Sequence, residues 1–161
     1  MLKPTIFYDM DNTLALFSIK GSEDEALEEM FEKGFFRNLP VLENAVIALK
    51  ALQMMGFDVR ILSACVDSPY CKAEKIEWLE EHFPFVPKEK IHLMEVGQNK
   101  AEIIQNQGLA VYGNYLVDDY SKNLHQWADY GGIPVKKRFS NKNGWENVVR
   151  NHLDIFEILF R

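Results

Sequence analysis

The stretch that decides the fold is Thr5-Ile6-Phe7-Tyr8-Asp9-Met10-Asp11-Asn12-Thr13. Ile6, Phe7 and Tyr8 form a short apolar run that stops at acidic and turn-forming residues, the pattern of a buried strand running into a loop. Two carboxylates and a hydroxyl then stand at alternate positions, as Asp9, Asp11 and Thr13. A D-x-D-x-T pattern arises by chance in about a few per cent of chains this long at average composition. Its weight comes from following a strand directly.

Outward from this run the chain alternates. Residues 23–33 are charged and helical in propensity, and Val41, Ala45, Ala48, Leu49, Leu52 and Met55 repeat at helical spacing up to Gly56. Strands are predicted at 59–63, 91–93, 115–118 and around Val135, and helices at 69–82, 100–107 and 121–130, the last stopped by Gly131-Gly132. Residues 145–160, with Trp145, Val148, Val149, His152, Ile155, Phe156, Leu159 and Phe160, are expected to close the chain as one amphipathic helix. Strands alternating with helices predict an α/β fold on a doubly wound parallel sheet. The chain reads as a single domain over residues 1–161. Residues 16–40, acidic and then aromatic, form a small cap insert after the first strand, or else an ordinary connecting helix.

Composition excludes several classes. A net charge of −6 and a pI near 5.2 argue against a nucleic-acid polymer as partner, because phosphate backbones are gripped by clustered Lys and Arg. Cys65 and Cys71 have neither C-x-x-C spacing nor partner histidines, so neither zinc nor a disulfide framework is expected, and a reduced cytoplasmic setting is. No window has the length of a signal or membrane segment, so neither export nor a membrane is expected.

Open parallel sheets place ligands beyond the carboxyl ends of their strands. There the sequence sets Asp9, Asp11 and Thr13 after the first strand, Ser63 at the end of the second, Lys100 beyond the third and Asp118-Asp119 at the end of the fourth. The two acidic groups offer oxygen ligands for a hard cation such as Mg²⁺, which would hold clustered carboxylates ionised. Short carboxylates after a strand also serve as turn residues, which is the plain alternative. Lys75 reads either as a second charge at the site or as an exposed helix-surface lysine. Trp78 and Trp127 lie on predicted helices and are expected to pack against the sheet, and the four histidines show no ligand spacing.

As a set, Asp9-Met10-Asp11-Asn12-Thr13, Ser63, Lys100 and Asp118-Asp119 resemble the four motifs of the haloacid dehalogenase superfamily. Gly34-Phe35-Phe36-Arg37-Asn38-Leu39-Pro40, Glu74-Lys75-Ile76-Glu77-Trp78-Leu79 and Leu116-Val117-Asp118-Asp119 are similar to its 5′(3′)-deoxyribonucleotidase family. These segments are spread over residues 5–130. The resemblance implies a Rossmann-like core and a magnesium-dependent phosphomonoesterase acting on nucleotides, possessing a cap above the base. It implies Asp9 as nucleophile, Asp11 as acid and base, and Asp9, Asp11 and Asp119 around Mg²⁺ with Asp118 in support. Ser63, Lys100, Phe17 and Thr13 are the expected substrate contacts, with Phe17 at a position that stacks on the nucleobase. The family usually reads D-x-D-G-V where this chain has Asp11-Asn12-Thr13, its second motif ends Ser63-Ala64-Cys65 rather than Thr-Ser-Pro, and the insert is short. A general small-molecule, protein or nucleic-acid-end phosphatase therefore stays open as the alternative, with a non-catalytic binding protein behind it. The resemblance also suggests a homodimer, which the residues themselves leave open.

Overall fold

In the computed structural model, which describes residues 2–17, 23–139 and 144–161, the apolar run becomes the central strand β1 (Thr5–Tyr8). It pairs in parallel with β2 (Asp58–Cys65) on one side and β4 (Tyr115–Asp118) on the other. Beyond these lie β3 (Ile91–Glu95), β5 (Ile133–Lys137) and β6 (Val148–Val149), all parallel, in the order β3-β2-β1-β4-β5-β6. The helices are α1 (Glu23–Glu29), α2 (Ala45–Met54), α3 (Cys71–His82), α4 (Lys100–Asn106), α5 (Ser121–Asp129) and α6 (Ile155–Leu159).

Side chains alternate across a strand, so β1 feeds two cores. Ile6 and Tyr8 face Ala45, Leu49, Trp78 and Ile155, which come from α2, α3 and α6. Phe7 faces Ala101, Ile104, Leu124 and Trp127 from α4 and α5. Burying β1 on both faces explains why it reads as an unbroken apolar run, the signature of a parallel strand. Trp78 and Trp127 are fully buried, and their indole N–H groups donate to the carbonyls of Leu39 and Asn114. No helix among the described residues is long and apolar enough to cross a membrane.

The expected closing helix over 145–160 is corrected by the structure. The β-branched pair Val148-Val149 instead adds a sixth strand beside Lys136 and Lys137. Asn151 then caps a short turn at His152–Asp154, its side chain accepting from Leu153 N while Asp154 reaches back to Asn151 N, and only Ile155–Leu159 is α-helical. The cap that starts this turn is what divides the apolar periodicity.

Part of the 16–40 insert, residues 18–22, lies outside the described residues. Of the rest, α1 leads into a turn whose Gly34 and Arg37 N–H groups both donate to the Glu74 carboxylate on α3, at 2.9 and 3.2 Å.

Candidate active site

After Tyr8 the chain turns sharply, and the Met10 carbonyl accepts from the N–H groups of Thr13, Leu14 and Ala15. The turn requires a left-handed residue, and Asn12 supplies it at φ 56°. Asn is among the few side chains that visit this region readily, so it meets the need without a glycine. Its Oδ1 accepts from Phe17 N at 2.9 Å, which fixes the exit of the turn. Asp9 is anchored where its N–H donates to Val117 O on β4.

The four motifs meet at this edge. Asn99 caps α4 by accepting from Ala101 N and Glu102 N, which sets Lys100 on the first turn, fully buried. Lys100 Nζ donates to Asp9 Oδ1 at 2.9 Å and to Asp118 Oδ2 at 2.7 Å. Burial favours the neutral amine, yet the carboxylates of Asp118 and Asp9 outweigh it and hold the ammonium above the ordinary lysine range. Asp118 is saturated with donors. Its Oδ1 accepts from Tyr120 N, and its Oδ2 accepts from Asn123 as well as Lys100. Asp119 is far less engaged, with Thr13 Oγ1 at 3.5 Å from its Oδ1. Burial, then the neighbouring Asp9 and Asp118 carboxylates, push Asp119 up to about 8.

Asp9, Asp118 and Asp119 each offer an oxygen within 4.8 Å of the others. An all-oxygen set carrying more negative than positive charge fits a hard divalent cation, which would relieve the repulsion that raises Asp119. The expected metal residues Asp9, Asp118 and Asp119 are therefore together, with Asp11 two residues along the same turn.

Of the expected substrate contacts, Ser63 is buried at the end of β2, and Thr13 is buried with its hydroxyl on Asp119. Phe17 is half-buried and packs edge-on against Phe35, with ring centroids 5.1 Å apart. An open cavity of about 320 Å³ is lined by Asp9, Asp11, Phe17, Lys100, Asp119 and Asn123. A larger one of about 690 Å³ lies beyond the ends of β2 and β3 and is lined by none of the four acidic residues.

Three contributors stand out less in the sequence. Lys75 is buried, not an exposed helix lysine, and bonds Asp11 and Ser63. Its signal was its spacing: Cys71, Lys75, Trp78 and Leu79 form one buried stripe of α3. Asn123 follows Asp118 on α5. Lys136 on β5 donates to the Asp119 carbonyl and to Ser121 Oγ, a contact with the β4–α5 junction that no local pattern announces.

The topology and this acidic edge define a haloacid dehalogenase-type fold. A Bacillus subtilis hydrolase of that type, solved with magnesium, superposes with a TM-score of 0.73 over all of both chains at 11% identity. A family model described as 5′ nucleotidase, deoxy (Pyrimidine), cytosolic type C protein matches residues 8–152. A Staphylococcus aureus protein provisionally named a 5′(3′)-deoxyribonucleotidase is 32% identical over 139 residues, 81% of this chain and 69% of that one. A Bacillus subtilis 5′(3′)-deoxyribonucleotidase is 26% identical over 127 residues, 73% and 65% of the two chains. The chain belongs to this deoxyribonucleotidase family within the haloacid dehalogenase superfamily, and is a phosphoric monoester hydrolase.

Proposed function

We propose that the protein is a magnesium-dependent phosphatase of nucleoside monophosphates, with deoxyribonucleotides preferred, working through a phosphoaspartate at Asp9. The observation that carries this reading is the Lys100 ammonium bridging Asp9 and Asp118, beside the carboxylate of Asp119. A carboxylate nucleophile divides a very slow monoester hydrolysis into two displacements. One Asp9 oxygen forms a bond to phosphorus as the bond from phosphorus to the ester oxygen breaks, and Asp11 gives its proton to the departing alkoxide. Asp11 then takes a proton from water as that water attacks phosphorus, the acyl phosphate bond breaks, and inorganic phosphate leaves Asp9 free.

The Asp9 and Asp119 carboxylates and the Asp11 carbonyl would hold Mg²⁺, with Asp118 as support. The ion would supply charge neutralisation at the phosphoryl oxygens. Lys100 has two N–H groups on carboxylates and a third uncommitted among the described residues, placed for a phosphoryl oxygen. Ser63 donates its hydroxyl proton to another. Thr13 steadies Asp119 from behind. Phe17 offers a face to the base, beneath a cap formed by the described part of the insert after α1. Cys65 and Cys71 are free thiols, as suits an enzyme of the reducing cytoplasm.

The test is phosphate release from a panel of deoxy- and ribonucleoside monophosphates with magnesium, wild type beside Asp9→Asn. Turnover that discriminates within the panel and vanishes in the variant is expected. Good cleavage of a simple aryl phosphate with uniformly poor nucleotide turnover would keep the chemistry and assign a different substrate.

A further inference from the structure

The Lys75 ammonium is buried on α3, and its three N–H groups are all spent. They go to Asp11 Oδ2 at 2.9 Å, Ser63 Oγ at 2.9 Å and the Ala64 carbonyl at 2.6 Å. An ammonium has three donors and no more, so Lys75 keeps none for a phosphate oxygen. This separates it from Lys100, which retains one. The Phe36 ring covers Lys75 from the insert side, with its centroid 5.0 Å from Nζ.

We propose that Lys75 is the positioning residue for the proton transfers, acting through Asp11 and Ser63 without touching substrate. The inference rests on the reading of Asp11 as acid and base. Holding Oδ2 against an N–H donor leaves Oδ1 as the oxygen able to carry the transferable proton. Asp11 Oδ1 has no hydrogen-bond partner among the described residues, and Asp11 lines the cavity beside Asp9 and Lys100. On the other side, Ser63 Oγ accepts from Lys75, so its own proton must point elsewhere, and the hydroxyl is set as a donor. A single cation thus orients the proton on two groups, and neither orientation survives its removal. The adjoining Glu74 fastens the Gly34 and Arg37 backbone. One helical turn therefore ties the insert to the same carboxyl group that delivers the proton.

A positioning role through the acid predicts dependence on the leaving group. An alkoxide leaves only with a proton, whereas p-nitrophenolate leaves without one. Lys75→Met should lower kcat/KM about 10²-fold for a deoxyribonucleoside monophosphate, the scale of a lost general acid. For p-nitrophenyl phosphate the loss should stay under about 10-fold, and Lys75→Arg should recover part of the nucleotide activity. The double variant Lys75→Met/Asp11→Asn should be worse on the nucleotide than Asp11→Asn alone only by the small share carried through Ser63, under about 10-fold, because Lys75 and Asp11 otherwise act as one unit. Equal losses on both substrates, or losses that multiply in the double variant, would overturn the proposal. If Asp11→Asn discriminates between the leaving groups and Lys75→Met does not, the positioning role alone fails. If Asp11→Asn does not discriminate either, the acid reading fails and takes the inference with it. Thermal melts accompany each variant, and should Lys75→Met not fold, Lys75→Arg carries the same comparison with a smaller expected loss.

Discussion

Lys100 Nζ lies 2.9 Å from Asp9 Oδ1, although 91 positions separate the two residues in the chain. The contact exists because β1 ends where the Asn99-capped first turn of α4 begins. Its consequence is double. The ammonium is the counter-ion of the buried Asp9 carboxylate, and in the proposed mechanism it is also the donor for the phosphoryl group. Lys100→Met should therefore reduce kcat/KM by about 10² to 10³. It should also lower stability by about 3–5 kcal/mol, because carboxylates are left buried without their partner. Steady-state kinetics and urea melts on the same preparation check both, and a variant that keeps either property near wild type contradicts that half of the account.

Asp118 and Asp119 are neighbours with different surroundings, and they should fail differently. Asp118 accepts from Lys100, Asn123 and Tyr120 N, whereas among the described residues the Asp119 carboxylate has the long contact from Thr13. Asp119→Asn should raise the magnesium needed for half-maximal activity by about 10-fold or more, at least 1.4 kcal/mol of metal binding. Millimolar magnesium should raise the melting temperature of the wild type, since a ligand at 100 times its Kd adds about 2.7 kcal/mol. It should do so much less in Asp119→Asn. Asp118→Asn should instead lower stability while keeping most of the magnesium response. Identical magnesium titrations for the two variants would remove the distinction.

The parts legible in the sequence were those written in local pattern. Strand β1, the D-x-D-x-T turn and the acidic pair after β4 each announce themselves within a few residues, and chain order alone brings them to one edge. The final segment reads as a helix in the sequence because Trp145, Val148, His152, Ile155 and Leu159 satisfy a helical period. The Asn151 cap and the Val148-Val149 pair carried the contrary signal. Lys75 illustrates the other limit. Its place on a buried stripe could be counted, but its partners lie elsewhere, Asp11 in the turn after β1 and Ser63 on β2, and the sheet order β2-β1 brings them within reach. Asn12 shows local chemistry overriding a family letter, since the backbone needs a positive φ and asparagine meets the need without glycine.

Phe17 is held by its N–H on Asn12 Oδ1 and packs against Phe35, so its ring is fixed beside the cavity before any substrate arrives. A pre-set aromatic face contributes about 1–3 kcal/mol to stacking on a base. Phe17→Ala should raise KM for nucleoside monophosphates by roughly 5- to 150-fold and leave kcat/KM for a non-aromatic monoester such as glycerol phosphate within about 3-fold, on the same scale. Equal effects on both substrates would assign Phe17 to packing alone.

His152 provides a test of stability against pH. Its ring is buried behind the turn that follows β1, where Nε2–H donates to the Thr13 carbonyl at 2.6 Å and Nδ1 has no partner among the described residues. Burial, opposed only in part by that hydrogen bond, lowers its pKa to about 4. The unfolded chain binds a proton on this ring below about pH 6.5, while the folded protein resists one until near pH 4. Between these values the unfolded form takes up more protons, so acid favours unfolding. The contribution is complete above pH 6.5 and is lost as the pH falls toward 4, amounting to about 3 kcal/mol over the whole window. Carboxylates titrate in the same range, so the comparison must isolate the ring. His152→Gln can keep a donor for Thr13 and cannot take up a proton. From pH 7 to pH 4.5, urea denaturation should show the wild type losing about 2–3 kcal/mol more than His152→Gln. Parallel losses in the two proteins would mean that His152 titrates alike in the folded and unfolded chains.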